Sequence, residues 1–391
     1  MEGHPRDDGE GEGDHGGLLR ERTEARLLCQ LLGRRPRSVD EAQRFPADYD
    51  GIIAGAPAYD WTALLTNSVV NTQALTVDPA SFIPPSKLPA ISQAVIAACD
   101  AADGVADGVL NDPRRCGFDP ATLLCKAADG EGCLTGAQVK ALKQLYAGAH
   151  DSAGKLIFPG YVPGAETGPR GWEQWITGST PKTSLMYFFG SSYFSNFVYE
   201  KPDWDYRTFT VDDGLKRANE KSAKALNATD ANLQPFRGRG GKLILWHGWN
   251  DPAISALSTI GYYDKVRATA GEVEAQSFVR LYLAPGVQHC AGGPGPDNFG
   301  AYGWHAGEGA DDPQHDMYLA LEQWVEKGTA PGQLIATKFE GQGAAARVAA
   351  TRPLCPYPQT AKYRGSGETT EAKNFACVAR PQTGSSGGWQ P

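Results

Sequence analysis

The chain has 391 residues, 41% of them hydrophobic and 10% aromatic, with 47 Gly and 27 Pro. That is enough for one large domain or two ordinary ones, and the Gly and Pro point to turns and long loops rather than a helical bundle. The net charge of −8 argues against nucleic acid or an anionic membrane as partner, and no apolar run approaches a membrane span.

Residues 1–39 read unlike the rest. They begin acidic and Gly-rich, turn Leu- and Arg-rich with no Lys, and show no helical or strand period. No apolar stretch of a signal peptide is present. We expect this segment to be aberrant and disordered. Asp40 to Pro46 then reads as the end of a helix. Asp50 to Pro57 (DGIIAGAP) is a short buried strand entered and left through Gly and Pro.

Residues 61–238 change pattern again. Helical stretches at Lys87–Cys99 and Thr135–Ala147 alternate with aromatic loops at Met186–Phe189, Tyr193–Phe197 and Pro202–Tyr206. Between two pieces with sheet character, this block reads as an inserted lid. Its aromatics suit either stacking on a ring substrate or, for most of them, the lid's own core. Within it, Asp100 to Asp112 (DAADGVADGVLND) gathers carboxylates on a loop bent by Gly104 and Gly108. Hard oxygen ligands on such a loop suit Ca²⁺: Asp100, Asp103 and Asp107 through carboxylates, Val105 and Val109 through carbonyls. The spacing is not that of an EF-hand; an acidic surface loop with Asp-Gly turns is the alternative, and Ca²⁺ is the favoured reading. The ion's role would be structural.

Residues 239–391 return to alternating strand and helix. Leu243–Trp246 is an apolar strand followed by His247-Gly248-Trp249-Asn250-Asp251-Pro252. Phe278–Leu283 is a second, stopped by Pro285-Gly286 and followed by His289 in a loop of small residues. An acid and then a histidine, each just past a strand end, is the order of the acid and base in α/β-hydrolases. A turn Asp and an unrelated His remain the bland reading. His247, in the turn before Asp251, reads as structural. His315–Lys327 has helical spacing with a Gly after it, Leu334–Phe339 is taken as the last strand, and the tail from Arg352 as a loop.

The eight cysteines form three short-range candidate pairs, Cys99/Cys116, Cys125/Cys133 and Cys355/Cys377, and no CxxC occurs. Scattered free thiols are the other reading. Disulfides imply export, secreted or periplasmic, which sits against the absence of a signal peptide.

Four words in this order, EAQRFPADYDGIIAGAPA, CDAADGVADGVLNDP, HGWNDP and APGVQHCAGGPGPD, resemble the tannase/feruloyl esterase family from Asp40 to the C-terminus. The resemblance implies an α/β-hydrolase core (residues 40–60 and 239–391), incomplete at the N-terminus, with a large inserted lid domain (61–238) that binds Ca²⁺ through the Asp100 loop. It implies a serine esterase cleaving feruloyl or galloyl esters, with Asp251 as acid and His289 as base. The partner it implies is a small aromatic ester of plant cell-wall or tannin origin. A related aromatic monoester hydrolase and a non-catalytic Ca²⁺-dependent binding protein are the other readings. It also implies a disulfide from Cys290 to a Cys directly before the serine.

The chain departs from that pattern at the serine. The family's Cys-Ser-x-Gly-Gly elbow lies just before EAQRFP, where this chain has Cys29-Gln30-Leu31-Leu32-Gly33-Arg34-Arg35-Pro36. Ser38 sits in an Arg/Pro context with no elbow. Written in GC-rich codons and read one base later, Cys29–Pro36 becomes Ala-Ser-Cys-Ser-Gly-Gly-Gly, in register with Glu41. We therefore expect a frameshifted N-terminal segment, with genuine divergence of the N-terminus as the alternative, and an inactive polypeptide.

Overall fold

The computed structural model describes residues 25–30, 38–301, 312–341 and 345–379. Its centre is a parallel four-stranded sheet of β1 (Leu27–Gln30), β2 (Gly51–Gly55), β5 (Lys242–Gly248) and β6 (Val279–Ala284), in that spatial order. β5 shows why the sheet is buried on both faces. Leu243 and Leu245 point into one apolar cluster with Ile260, Tyr263 and Val266 of the helix Ala256–Ala270. Ile244 and Trp246 point into another with Leu321 and Trp324 of the helix Met317–Lys327. Side chains alternate along a strand, so a continuous apolar run is what two covered faces require. The chain is α/β, as expected.

The first strand corrects the reading of residues 1–39. Leu27–Gln30 is not disordered: it pairs in parallel with Gly51–Ala54, and the helix α1 (Ser38–Arg44) begins inside the segment read as aberrant. Residues 1–24 and 31–37 lie outside the described residues. The tail is also corrected. Leu334–Glu340 is followed by an antiparallel partner, Arg347–Leu354, and by a pair formed from Thr360–Tyr363 and Phe375–Val378. It is a small β unit rather than a loop.

Between β2 and β5 the chain is helical, with one short hairpin, β3 (Gly148–His150) and β4 (Leu156–Pro159). The helix α2 (Trp61–Thr76) is buried on most of its surface, as a helix must be when others surround it. The helices α3 (Leu88–Cys99) and α4 (Gly136–Ala147) share an apolar cluster with Trp172, Tyr161 and Met186. The start of α4 is set by a capping box of Thr135 and Gln138, which satisfies two otherwise orphan amides. A second cluster gathers Phe194, Tyr206 and Phe209, with Trp204 and Tyr199 against it. Most of the aromatics in this block are therefore packed on one another, whereas Phe188, Phe189 and Phe197 are exposed.

All three disulfides read from the sequence are present: Cys99–Cys116, Cys125–Cys133 and Cys355–Cys377. Cys29 and Cys290 are buried and take no part in these three disulfides. Among the described residues no helix is long and apolar enough to cross a membrane.

Candidate functional site

Parallel pairing brings the two candidate residues together. His247 is level with Leu283 and Gly248 with Ala284, so β5 and β6 end side by side. The loops that leave them then run in contact: Trp249 N donates to Ala284 O and Asn250 N to Val287 O, each at 2.9 Å. A Cβ on Gly248 would stand 2.3 Å from Val287 O, so only glycine permits this approach.

Asp251 is fully buried and His289 partly buried, and His289 Nδ1 lies 2.8 Å from Asp251 Oδ2. The other carboxylate oxygen accepts from Ala253 N at 2.8 Å and Ile254 N at 2.9 Å. Burial alone would raise the Asp251 carboxyl. The charge of His289 and the hydrogen bonds from His247 and His289 outweigh it and hold the group well below the usual carboxylate range. Asp251 is thus ionised at neutral pH and fixes His289 with Nδ1 as the donor. His289 Nε2 has no hydrogen-bond partner among the described residues. An imidazole anchored at Nδ1 by a carboxylate, with Nε2 free, is arranged to take a proton from a nucleophile and return it to a leaving group.

His247 is not a rival for that work. Its side chain is fully buried, with Nδ1 2.7 Å from Thr259 Oγ1 and Nε2 3.0 Å from Ile254 O and 3.2 Å from Asp251 Oδ2. Both ring nitrogens are engaged, so it buttresses the acid.

One residue was missed in the sequence. Trp175, in the π-helical turn Glu173–Thr177, meets the His289 ring edge-on with centroids 5.0 Å apart. Phe189 stacks on Trp175 and Phe188 packs edge-on to Phe189. A step of aromatic faces therefore runs from the imidazole to the surface. Nothing in the local pattern of GWEQW separates Trp175 from a core aromatic.

The Asp100 loop is ordered by its own carboxylates. Asp100 Oδ2 accepts from Gly108 N at 2.9 Å, and Asp103 accepts from Val105 N and Asn111 N, each at 3.1 Å. Asp107 accepts from Val109 N and forms an ion pair with Arg352. Asp100 Oδ1 and Asn111 Oδ1 are buried and lack a hydrogen-bond partner among the described residues. Val105 and Val109 are buried beside them. Cys125, Asp129 and Cys133 also converge, but the two cysteines are bonded to each other and cannot serve as thiolate ligands.

Cys29 ends up near the end of β1 with Sγ donating to Ala301 O at 3.1 Å. Burial, with a smaller contribution from Asp316, pushes its thiol up to about 12. Ser38 is the first residue of α1 and is buried. The positions of the expected serine elbow, 31–37, lie outside the described residues.

Comparison with known proteins shows the family of the chain. The profile of the family "Tannase and feruloyl esterase" matches residues 33–378. An uncharacterized esterase of Xanthomonas campestris is 40% identical over 364 residues, covering 87% of this chain and 63% of that protein. The mono(2-hydroxyethyl) terephthalate hydrolase of Piscinibacter sakaiensis is 36% identical, covering 87% of this chain and 61% of that protein. Among solved structures, feruloyl esterase B from Aspergillus oryzae superposes with a TM-score of 0.79 at 30% identity, covering 88% of this chain and 67% of that one. The chain spans a little under two thirds of the length of the curated relatives it matches, 61% to 65% for those of Piscinibacter sakaiensis, Xanthomonas campestris and Aspergillus clavatus.

Proposed function

The chain belongs to the tannase and feruloyl esterase family, and on that premise we propose that it carries the acid and base of a serine carboxylic-ester hydrolase without the serine. The observation that carries this reading is the buried Asp251–His289 hydrogen bond with Nε2 left free. In such a hydrolase His289 Nε2 takes the proton of a serine hydroxyl as the oxygen attacks the ester carbonyl. It then passes that proton to the departing alcohol. Asp251 keeps the ring oriented and stabilises its cationic form. Trp175 and Phe189 offer ring faces beside the imidazole, which suits an aromatic acyl group of the feruloyl or galloyl kind. A second reading, an aromatic monoester of the terephthalate kind, draws support from the 36% identity to the Piscinibacter sakaiensis hydrolase.

The Asp100 loop fits a structural Ca²⁺. Asp100, Asp103 and Asp107, with the carbonyls of Val105 and Val109, would hold it, and the unpartnered Asp100 Oδ1 is the observation that favours it. The ion would tie the loop together and take no part in the chemistry. The three disulfides favour a secreted or periplasmic location.

The test has two arms. The chain as it stands is expected neither to hydrolyse aryl esters nor to be labelled by a fluorophosphonate. The combined substitutions Leu31→Cys, Leu32→Ser, Arg34→Gly and Arg35→Gly restore the family elbow and are expected to bring labelling at residue 32. Turnover and labelling by the unaltered chain would overturn the reading.

A further inference from the structure

The loops that carry Asp251 and His289 are both tied to one segment of the intervening block, residues 164–168. Asn250, next to the acid, donates from Nδ2 to Gly164 O. Gln288, next to the base, donates from Nε2 to Thr167 O at 2.7 Å. The fit is close: a Cβ on Gly168, whose φ is +110°, would stand 2.7 Å from Gln288 Nε2. The same segment leads directly into Glu173–Thr177, which sets Trp175 against the imidazole.

What holds the segment is a carboxylate that the acid–base pair does not use. Glu166 is completely buried. It accepts from Tyr146 Oη at 2.7 Å and from Gly164 N at 3.0 and 3.1 Å. A phenol and backbone amides are its partners, with no basic side chain among them in the described residues. Burial raises its carboxyl above the usual range, against the pull of those hydrogen bonds. A carboxyl kept in such a place costs stability unless every bond it makes is retained. Its bonds tie the turn, at Gly164, to Tyr146 of α4.

We propose that Glu166 is a positioning residue: by folding the Gly164–Thr167 turn onto Tyr146 it sets the spacing of the Asp251 and His289 loops through Asn250 and Gln288. This rests on reading Asp251 and His289 as acid and base. The chain of contact is short. Glu166 fixes Gly164, Gly164 O receives Asn250, Thr167 O receives Gln288, and each of these neighbours one member of the pair. Small displacements of such loops are enough to matter, since a misplacement of about 1 Å can cost about 100-fold in rate.

The experiment is proton NMR of the full chain with ¹⁵N-labelled histidine, following the downfield Nδ1–H resonance of His289 that the Asp251 bond creates. Glu166→Gln removes the charge and, with its oxygen kept at the Oε1 position for Tyr146 and Gly164 N–H, sets an NH₂ group where Oε2 accepted from Gly164 N at 3.1 Å, so that two donors face each other. It is expected to move or broaden the resonance by more than its line width. Gln138→Ala, which removes a buried polar group from the remote cap of α4, serves as a control for lost stability and is expected to leave the resonance in place. An unchanged resonance in Glu166→Gln, or an equal change in the control, overturns the proposal. If Glu166→Gln does not fold, Asn250→Ser and Gln288→Met each cut one strut, and an unchanged resonance in both overturns it. In the elbow-restored chain Glu166→Gln is expected to lower kcat about 10- to 100-fold at unchanged KM. The resonance reads the geometry without turnover, so absent turnover with a shifted resonance sinks the esterase reading and leaves the clamp standing.

Discussion

Replacing Asp251 by Asn tests whether the buried carboxylate organises the site. The side chain keeps its shape, and its remaining oxygen can still accept from Ala253 N and Ile254 N. The new NH₂ then faces His289 Nδ1 and His247 Nε2, which the carboxylate oxygen met at 2.8 and 3.2 Å. Two charge-assisted bonds of about 1.5–3 kcal/mol each are at risk. Either imidazole can recover one by changing tautomer, so we expect a net loss of about 2–4 kcal/mol. Urea unfolding would read this as a lower midpoint at unchanged m, and the downfield Nδ1–H resonance of His289 should vanish. The pH dependence has a definite sign. The folded-state pKa of Asp251 is depressed, so its contribution is complete above the unfolded value of about 3.9 and is lost only as pH falls from there toward the folded value. The gap between the native chain and Asp251→Asn should hold from about pH 8 to pH 5 and narrow below about pH 4. A variant within about 0.5 kcal/mol of the native chain, with the resonance intact, would refute the reasoning.

Three further outcomes are expected. Denatured without reductant, the chain should release two thiols, Cys29 and Cys290; none released would mean that the two are bonded to each other. In the native chain Cys29 should be nearly silent to Ellman's reagent, because a thiol moved from 9.0 to about 12 has about a thousandfold less thiolate. Gly248→Ala drives a methyl to 2.3 Å from Val287 O and should cost about 1–3 kcal/mol in urea unfolding; a neutral result would show that the two loops can part freely. Ca²⁺ at about 100 times its Kd should stabilise the chain by about 2.7 kcal/mol, seen as a rise in Tm that EDTA reverses and Asp100→Asn abolishes. No calcium-dependent shift would leave Asp100 Oδ1 as an ordinary buried oxygen.

The class of fold, the two strand ends and the three short-range cysteine pairs were legible in the sequence. Each is written in short-range signals: apolar runs closed by Gly or Pro, an acid or His in the turn beyond, cysteines a few residues apart. It misread Leu27–Gln30 because four residues in an Arg-rich context have no period of their own; they become a strand only by pairing with β2. It misread the tail for the same reason, since Arg347–Leu354 is a strand only against Leu334–Glu340. The site needed the tertiary structure most. Asp251 and His289 are recognisable singly, but their 2.8 Å contact depends on the register of β5 against β6. Trp175 and Glu166 carry no local mark at all. A Trp in a short helical turn and a Glu in a Gly-rich loop look like core and surface. Packing reverses both, setting the Trp against an imidazole and closing the Glu away from water beneath Tyr146.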